Sequence, residues 1–135
     1  VWLQAHSDDW NAIADISKIE ATLKHIISID PDYDNGNPQM MLGALASQIP
    51  PSLGGKPEIA EAYFQDALKL SDNKNLMAQV YYAKFYARLV FNQQLHDHLL
   101  REALKANPKA RDFTLSNLLA QEMAVDLLVS SQDYF

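Results

Sequence analysis

Asp30, Asp32 and Asp34 alternate along one polar stretch, with the 1, 3, 5 spacing by which a calcium loop presents its first oxygen ligands. The rest of that pattern is missing. Asn35 takes the sixth position with Gly36 one place late, Met41 stands where a bidentate glutamate is needed, and Pro31 interrupts the ligands. An acidic, asparagine-rich loop with helix-capping duties is the expectation. His96 and His98 lie two residues apart, so on a helix they point about 200° away from each other and cannot share a metal. His25 ends a helical stretch, His6 lies near the start, and no His-Glu-x-x-His pattern occurs. Surface histidines and no metal site are expected.

Nucleophiles are equally sparse. There is no cysteine, no Gly-x-Ser-x-Gly and no phosphate-cradling glycine loop, and Gly54-Gly55 precede a helix opened by Pro57, whose ring removes an amide donor. Glu122 and Asp126 stand one turn apart and could do acid–base work only if buried together. A solvated face or a bridge to a neighbour is the commoner fate of such a pair. No catalytic residue and no cofactor are therefore expected. Lys84 and Arg88, also one turn apart, are the only charges of an otherwise apolar stretch from Leu76 to Val90. Either they reach the rim with buried stems, or they meet an anionic ligand or the carboxylates of the last helix. Around them gather Tyr81, Tyr82, Phe85, Tyr86 and Phe91, with Tyr63 and Phe64 upstream. Ordinary core accounts for most such rings. Three tyrosines on successive faces of one helix cannot all enter one core, however, so some should line a groove, a pore or a subunit contact, where a tyrosine offers an apolar ring and an orienting hydroxyl. Tyr63, Tyr81, Tyr82, Lys84, Phe85, Tyr86 and Arg88 are the ligand-lining candidates.

The elements that must position these residues are helical. Apolar residues recur at three- and four-residue steps from Asp9 to Ile29, with Asp8 or Asp9 available as a cap. Further helices are expected over Gln39–Ile49, rich in small residues, Pro57–Leu70, Leu76–Val90, Asn92–Ala106 and Ala110–Ser130, six in all and no strand. Between the second and third runs Pro50-Pro51-Ser52-Leu53-Gly54-Gly55-Lys56, a loop by composition.

The whole chain has 135 residues, 48% of them hydrophobic and 21% charged, which suits one globular domain. Its four glycines and six prolines are clustered, which argues against a many-turned β fold. A net charge of −6 without a basic run speaks against nucleic acid, and no apolar run approaches the roughly 20 residues of a membrane span. The start, Val1-Trp2-Leu3-Gln4, has neither Met nor a signal-like pattern. A single helical-repeat domain over residues 1–135, part of a longer chain, is the expectation.

Helix pairs with short connections invite a search for repeats. Ala60, Phe64 and Ala67 carry the small–aromatic–small spacing of a tetratricopeptide second helix, with Leu42-Gly43 upstream, although the intervening loop is about five residues too long for that repeat. In the next pair Ala103 and Pro108 keep their places, Leu100 replaces the aromatic and His96 the first alanine. The expected fold is all-α: about six antiparallel helices stacked as tetratricopeptide-like hairpins, an α-solenoid.

The order Gly43, Ile49-Pro50-Pro51-Ser52-Leu53-Gly54-Gly55, Ala60-x-x-Tyr63-Phe64-x-x-Ala67, Tyr82-Ala83-x-x-Tyr86 and Leu118-Leu119-Ala120 with Ala124 and Leu127-Leu128 resembles the T component associated with TRAP transporters. The resemblance runs from Met40 to Phe135. It implies a periplasmic, tetratricopeptide-like lipoprotein, non-catalytic, that binds the transporter's solute-binding protein and offers an apolar, ligand-accessible cavity. It also implies self-association, as in ring-forming helical scaffolds, and membrane attachment only through a lipid anchor outside this chain. Pro50, Pro51, Ser52, Leu53, Gly54 and Gly55 would then contact the partner or a neighbouring subunit. A tetratricopeptide-like peptide adaptor is the alternative within binding proteins; a small helical enzyme would need Glu122, Asp126 or a histidine converging on one pocket.

Overall fold

The computed structural model describes residues 10–135. His6 and the capping pair Asp8 and Asp9 lie outside the described residues. Seven α-helices form among them: α1 (Trp10–Ile29), α2 (Asn37–Ala46), α3 (Pro57–Leu70), α4 (Leu76–Tyr81), α5 (Gln93–Lys105), α6 (Thr114–Val129) and α7 (Ser131–Tyr134). Two short 3₁₀ turns, Tyr33–Gly36 and Pro51–Leu53, occupy the loops on either side of α2, and no strand occurs among the described residues. The chain is all-α.

Local chemistry explains each boundary that departs from expectation. Helix α2 starts two residues early because Gly36 takes a left-handed φ of 91° and Pro38 fits the first turn. It stops at Ala46, where Ser47 Oγ turns back onto the Gly43 carbonyl at 2.8 Å. Helix α3 begins at Pro57 and ends at Leu70 as the sequence indicates. The run from Leu76 to Val90 is not one α-helix: after Tyr81 it continues as a π-helix, Tyr82–Ala87, and closes at Phe91, which holds a left-handed φ of 54°. The wider π turn falls where the large rings of Tyr82, Phe85 and Tyr86 crowd one side. Helix α6 starts at Thr114 rather than Ala110 because Asp112 is left-handed, and a break at Ser130 splits off α7.

Packing follows chain order. Helix α1 lies against α2, α2 against α3, both against the π segment, and α4 and α5 against α6. Two buried clusters result. One joins Met40, Phe64, Ala67, Ala78 and Tyr82; the other joins Leu76, Val80, Ala83, Leu100, Ala103, Ala120 and Ala124. The repeat positions Ala60, Phe64 and Ala67, and their counterparts His96, Leu100 and Ala103, are all fully buried. Small residues at crossings permit this: a Cβ on Gly43 would lie 2.9 Å from the Phe64 ring, so α2 and α3 approach closely only because that atom is missing.

Two asparagines fasten the clusters together. Asn117 of α6, fully buried, accepts from the Leu76 backbone N–H at 2.9 Å and donates to the carbonyls of Lys74 and Pro108 at 2.9 and 3.1 Å. It thus caps the start of α4 from a distant helix, where no local side chain does so. Asn75 donates to Asn37 at 2.9 Å and ties the same turn to the start of α2.

Candidate functional site

The aromatic residues divide between core and surface. Tyr82 is buried, stacks on Phe64 with ring centroids 5.5 Å apart, and donates its hydroxyl hydrogen to Glu61 at 2.7 Å. Burial, reinforced by the neighbouring Glu61 carboxylate, pushes the phenol well above the ordinary tyrosine range, so it stays a neutral donor. Tyr86 packs edge-on against Tyr82 at 5.5 Å, and burial with the charge of Glu61 raises its phenol too. Tyr81 packs edge-on against Phe85. Tyr82 thus belongs to the core, while Tyr81 and Tyr86 are half-buried and pack edge-on against neighbouring rings.

The remaining ligand candidates meet open space in two places. A pocket of about 190 Å³ lies among α1, α2, α3 and the proline-glycine loop, and is lined by Leu42, Ala46, Ile49, Gly54, Gly55, Ile59 and Tyr63. The Glu20–Lys24 ion pair of α1, at 2.6 Å, stands beside it, and this contact raises the Lys24 ammonium above its ordinary value. The loop that frames the pocket is tightly made. The Pro50 carbonyl accepts from the N–H groups of both Leu53 and Gly55, at 2.9 and 3.0 Å, and Gly54 holds a left-handed φ of 90°. A Cβ on Gly55 would fall 1.9 Å from the Ile49 carbonyl oxygen, so no other residue fits there without moving the backbone. The turn presents Leu53 outward, 76% exposed, with Pro50, Pro51 and Ser52 also exposed.

The second space is an open groove of about 430 Å³ between the end of α2 and the π segment, lined by Ser47, Gln48, Pro50, Lys84, Phe85, Arg88, Leu89 and Tyr134. Lys84 lies over the Phe85 ring at 5.1 Å. Arg88 does not reach the carboxylates of α6: Glu122 and Asp126 are exposed, and the guanidinium donates instead to the Leu127 carbonyl at 3.2 Å and Ser130 Oγ at 2.9 Å. Its Nε donates to His96 Nε2 at 3.0 Å, and its plane covers the Tyr134 ring at 4.6 Å.

His96 corrects an expectation. It is fully buried rather than on the surface, because it occupies the repeat position that packs inward. Its Nδ1 lies 2.8 Å from Asp97 Oδ1, and that oxygen also accepts from Ser131 Oγ at 2.7 Å. With Nε2 accepting from Arg88, the ring is a neutral Nδ1–H tautomer. Burial, aided by the Arg88 charge, lowers the imidazole pKa against the opposing pull of Asp97. Burial alone would raise Asp97, but the hydrogen bonds from Ser131 and His96 together hold it below the ordinary carboxylate value. Both Ser131 and His96 face the same carboxylate oxygen, so serine and imidazole are not arranged as nucleophile and base. The cluster fastens α7 to α5 and the π segment. Repeat register was the signal that could have found it, since His96 stands where the previous repeat has Ala60.

The pH dependence follows in sign. The folded pKa of His96 lies below its unfolded value near 6.5, so its contribution is complete above that value and declines as pH falls through it. Asp97 adds a second loss below about pH 4. Urea midpoints should therefore fall from pH 7.5 to 5.5, and His96→Gln should flatten that slope; an unchanged slope would show that His96 does not set it.

Other chemistry-bearing residues stay apart. Asp30, Asp32 and Asp34 are exposed, and Asp34 accepts from the Asn37 side chain at 2.9 Å, next to the start of α2. Among the described residues no group of three acidic or histidine side chains is placed to hold a metal. His25 and His98 are exposed. No helix among the described residues is long and apolar enough to cross a membrane.

None of the curated proteins compared with this chain matches it. A family model does: the one described as the TRAP transporter T-component matches residues 1–135, covering also the front of the chain, which the motif resemblance from Met40 onward left out. The all-α architecture, the framed proline-glycine loop and this whole-length match lead to one conclusion: the chain belongs to the TRAP transporter T-component family.

Proposed function

We propose that the protein is a non-catalytic scaffold of a TRAP-type transport system: it binds the periplasmic solute-binding protein of that system and takes a hydrophobic small ligand. Family membership supplies the transport context. The observation that carries the scaffold reading is the Pro50–Gly55 turn, whose geometry admits no side chain at Gly55 and which projects an exposed leucine beside a small pocket with an apolar floor and Glu20, Lys24 and Lys56 among its lining. A rigid projecting apolar residue beside a small pocket suits protein contact, because neither side loses much conformational freedom on docking. In the same reading the helices stack as tetratricopeptide-like hairpins, Tyr63 faces the pocket beside the turn, and the chain works in the periplasm as the soluble part of a lipid-anchored lipoprotein.

Self-association belongs to this proposal as well. Helix α6 turns Leu115, Leu118, Leu119 and Val125 outward, with Leu115 75% exposed, and together with Leu104 they form a mainly apolar surface that Gln121 and Glu122 interrupt. Such patches on soluble proteins mark interaction sites, and a second copy is the occupant proposed here.

Leu53→Asp tests the partner contact. The substituted residue points into solvent, so the circular dichroism spectrum and urea midpoint should stay as in the parent, while calorimetric affinity for the solute-binding protein should fall at least tenfold. Unchanged affinity would remove the loop from the interface.

A further inference from the structure

We infer that the groove between α2 and the π segment is a binding site for a small acid, one carboxylate on an apolar body, with Lys84 and Arg88 as the anion-binding pair. The inference rests on the ligand-binding part of the scaffold reading and names the chemistry of its ligand. Four observations converge on this groove. Its lining holds two cations and no carboxylate, in a chain whose net charge is −6. Among the described residues neither Lys84 nor Arg88 lies in an ion pair, although three other pairs form. Both stand one turn apart on a segment where like charges repel, and an anion between them removes that repulsion. The segment itself is π-helical from Tyr82 to Ala87, a rare conformation that recurs at functional sites.

The groove also has the parts that would distinguish one anion from another. Phe85, Leu89, Pro50 and the Tyr134 ring supply apolar walls for an aromatic or short aliphatic body. Arg88 is held from behind: its Nε donates to the buried His96 and one terminal nitrogen to Ser130 Oγ and the Leu127 carbonyl. A guanidinium fixed in this way keeps the two N–H groups of its other terminal nitrogen in a set direction, enough to hold one oxygen of a carboxylate. Lys84 makes no hydrogen bond among the described residues beyond its place over Phe85, so it can swing onto the second oxygen. The volume, about 430 Å³, accommodates a phenylalkanoate or the last residues of a polypeptide.

Phenylacetate is the direct probe, titrated by calorimetry and by the shifts of groove resonances in NMR. It should bind saturably. Its neutral isostere phenylacetamide should not, and Lys84→Met, which keeps the apolar stem, should weaken phenylacetate at least tenfold. A second pair, acetyl-Ala-Ala-Phe with a free carboxylate and its carboxamide, separates the two sources of this chemistry: preference for the free acid peptide over phenylacetate identifies a polypeptide end as the natural ligand, and the reverse identifies a small acid. Because Arg88 also holds the fold, Arg88→Lys is read only alongside its urea midpoint, and Lys84→Met carries the decision. Equal binding of acid and amide, or phenylacetate affinity indifferent to Lys84→Met, overturns the inference. Partner affinity measured on the unsubstituted protein separates the two readings: if the partner binds while phenylacetate does not, the groove assignment fails and the scaffold stands.

Discussion

Phe64→Ala is expected to lower the unfolding free energy by about 4 kcal/mol, as for other buried large aromatics. Phe64 is fully buried, stacks on Tyr82, and fills the crossing where α2 meets α3 over Gly43. Alanine leaves a void that α2 cannot close, because its path is set on one side by the Ser47 turn and on the other by Asn37 and Asn75. For a domain whose total stability is on the order of 5–15 kcal/mol, that loss is a large share. Urea unfolding checks it; a loss under about 1.5 kcal/mol would mean that the crossing repacks freely. Gly43 gives an internal control. Gly43→Ala alone places a methyl 2.9 Å from the ring and should cost about 1–3 kcal/mol, but in the Phe64→Ala background the new methyl enters the void. The double-mutant cycle should therefore show coupling of about 1 kcal/mol or more between the two sites, and additivity would refute the close crossing.

Asn117→Ala should cost about 3 kcal/mol. The side chain makes three hydrogen bonds at a fully buried site, one to the Leu76 N–H and two to the carbonyls of Lys74 and Pro108. Truncation strands one donor and two acceptors, each worth about 1–3 kcal/mol when left unpaired, with partial relief where water enters. Asn117→Asp discriminates further. It keeps the acceptor for Leu76 but puts charge against two carbonyls, so it should be at least as damaging as alanine near neutral pH. Thermal unfolding of both variants measures this, and a tolerant Asn117→Asp would show that the Lys74 and Pro108 contacts contribute little.

The helical fold was legible because its punctuation is strong. Pro57 opens α3 and the Pro50–Gly55 cluster excludes an α-helix, leaving only a 3₁₀ turn over Pro51–Leu53, so that stretch reads almost to the residue. Repeat spacing located Phe64, Ala60 and Ala67, all buried. The π turn was not legible, since its cause is crowding of rings whose spacing along the chain also suits an α-helix. The apolar outer face of α6 escaped for a related reason. A helix apolar on every side gives no periodic cue to which side faces in, and the chain buries Ala120, Ala124 and Asn117 while leaving the leucines of the other face outside. His96 and Asn117 show the same gap: a polar residue reads as surface until its partners, distant in sequence, are known. Of the candidate ligand residues, Lys84, Phe85, Arg88 and Tyr63 line open space, whereas Tyr82 completes the core.

The scaffold reading stands or falls on its partner. The protein carrying an affinity tag, expressed at native level and recovered from the periplasm without crosslinking, should bring down one TRAP-type solute-binding protein in near-stoichiometric amount, and the Leu53→Asp form should lose it. Recovery of the tagged protein with no solute-binding protein at near-native abundance would contradict a role as the scaffold of that system.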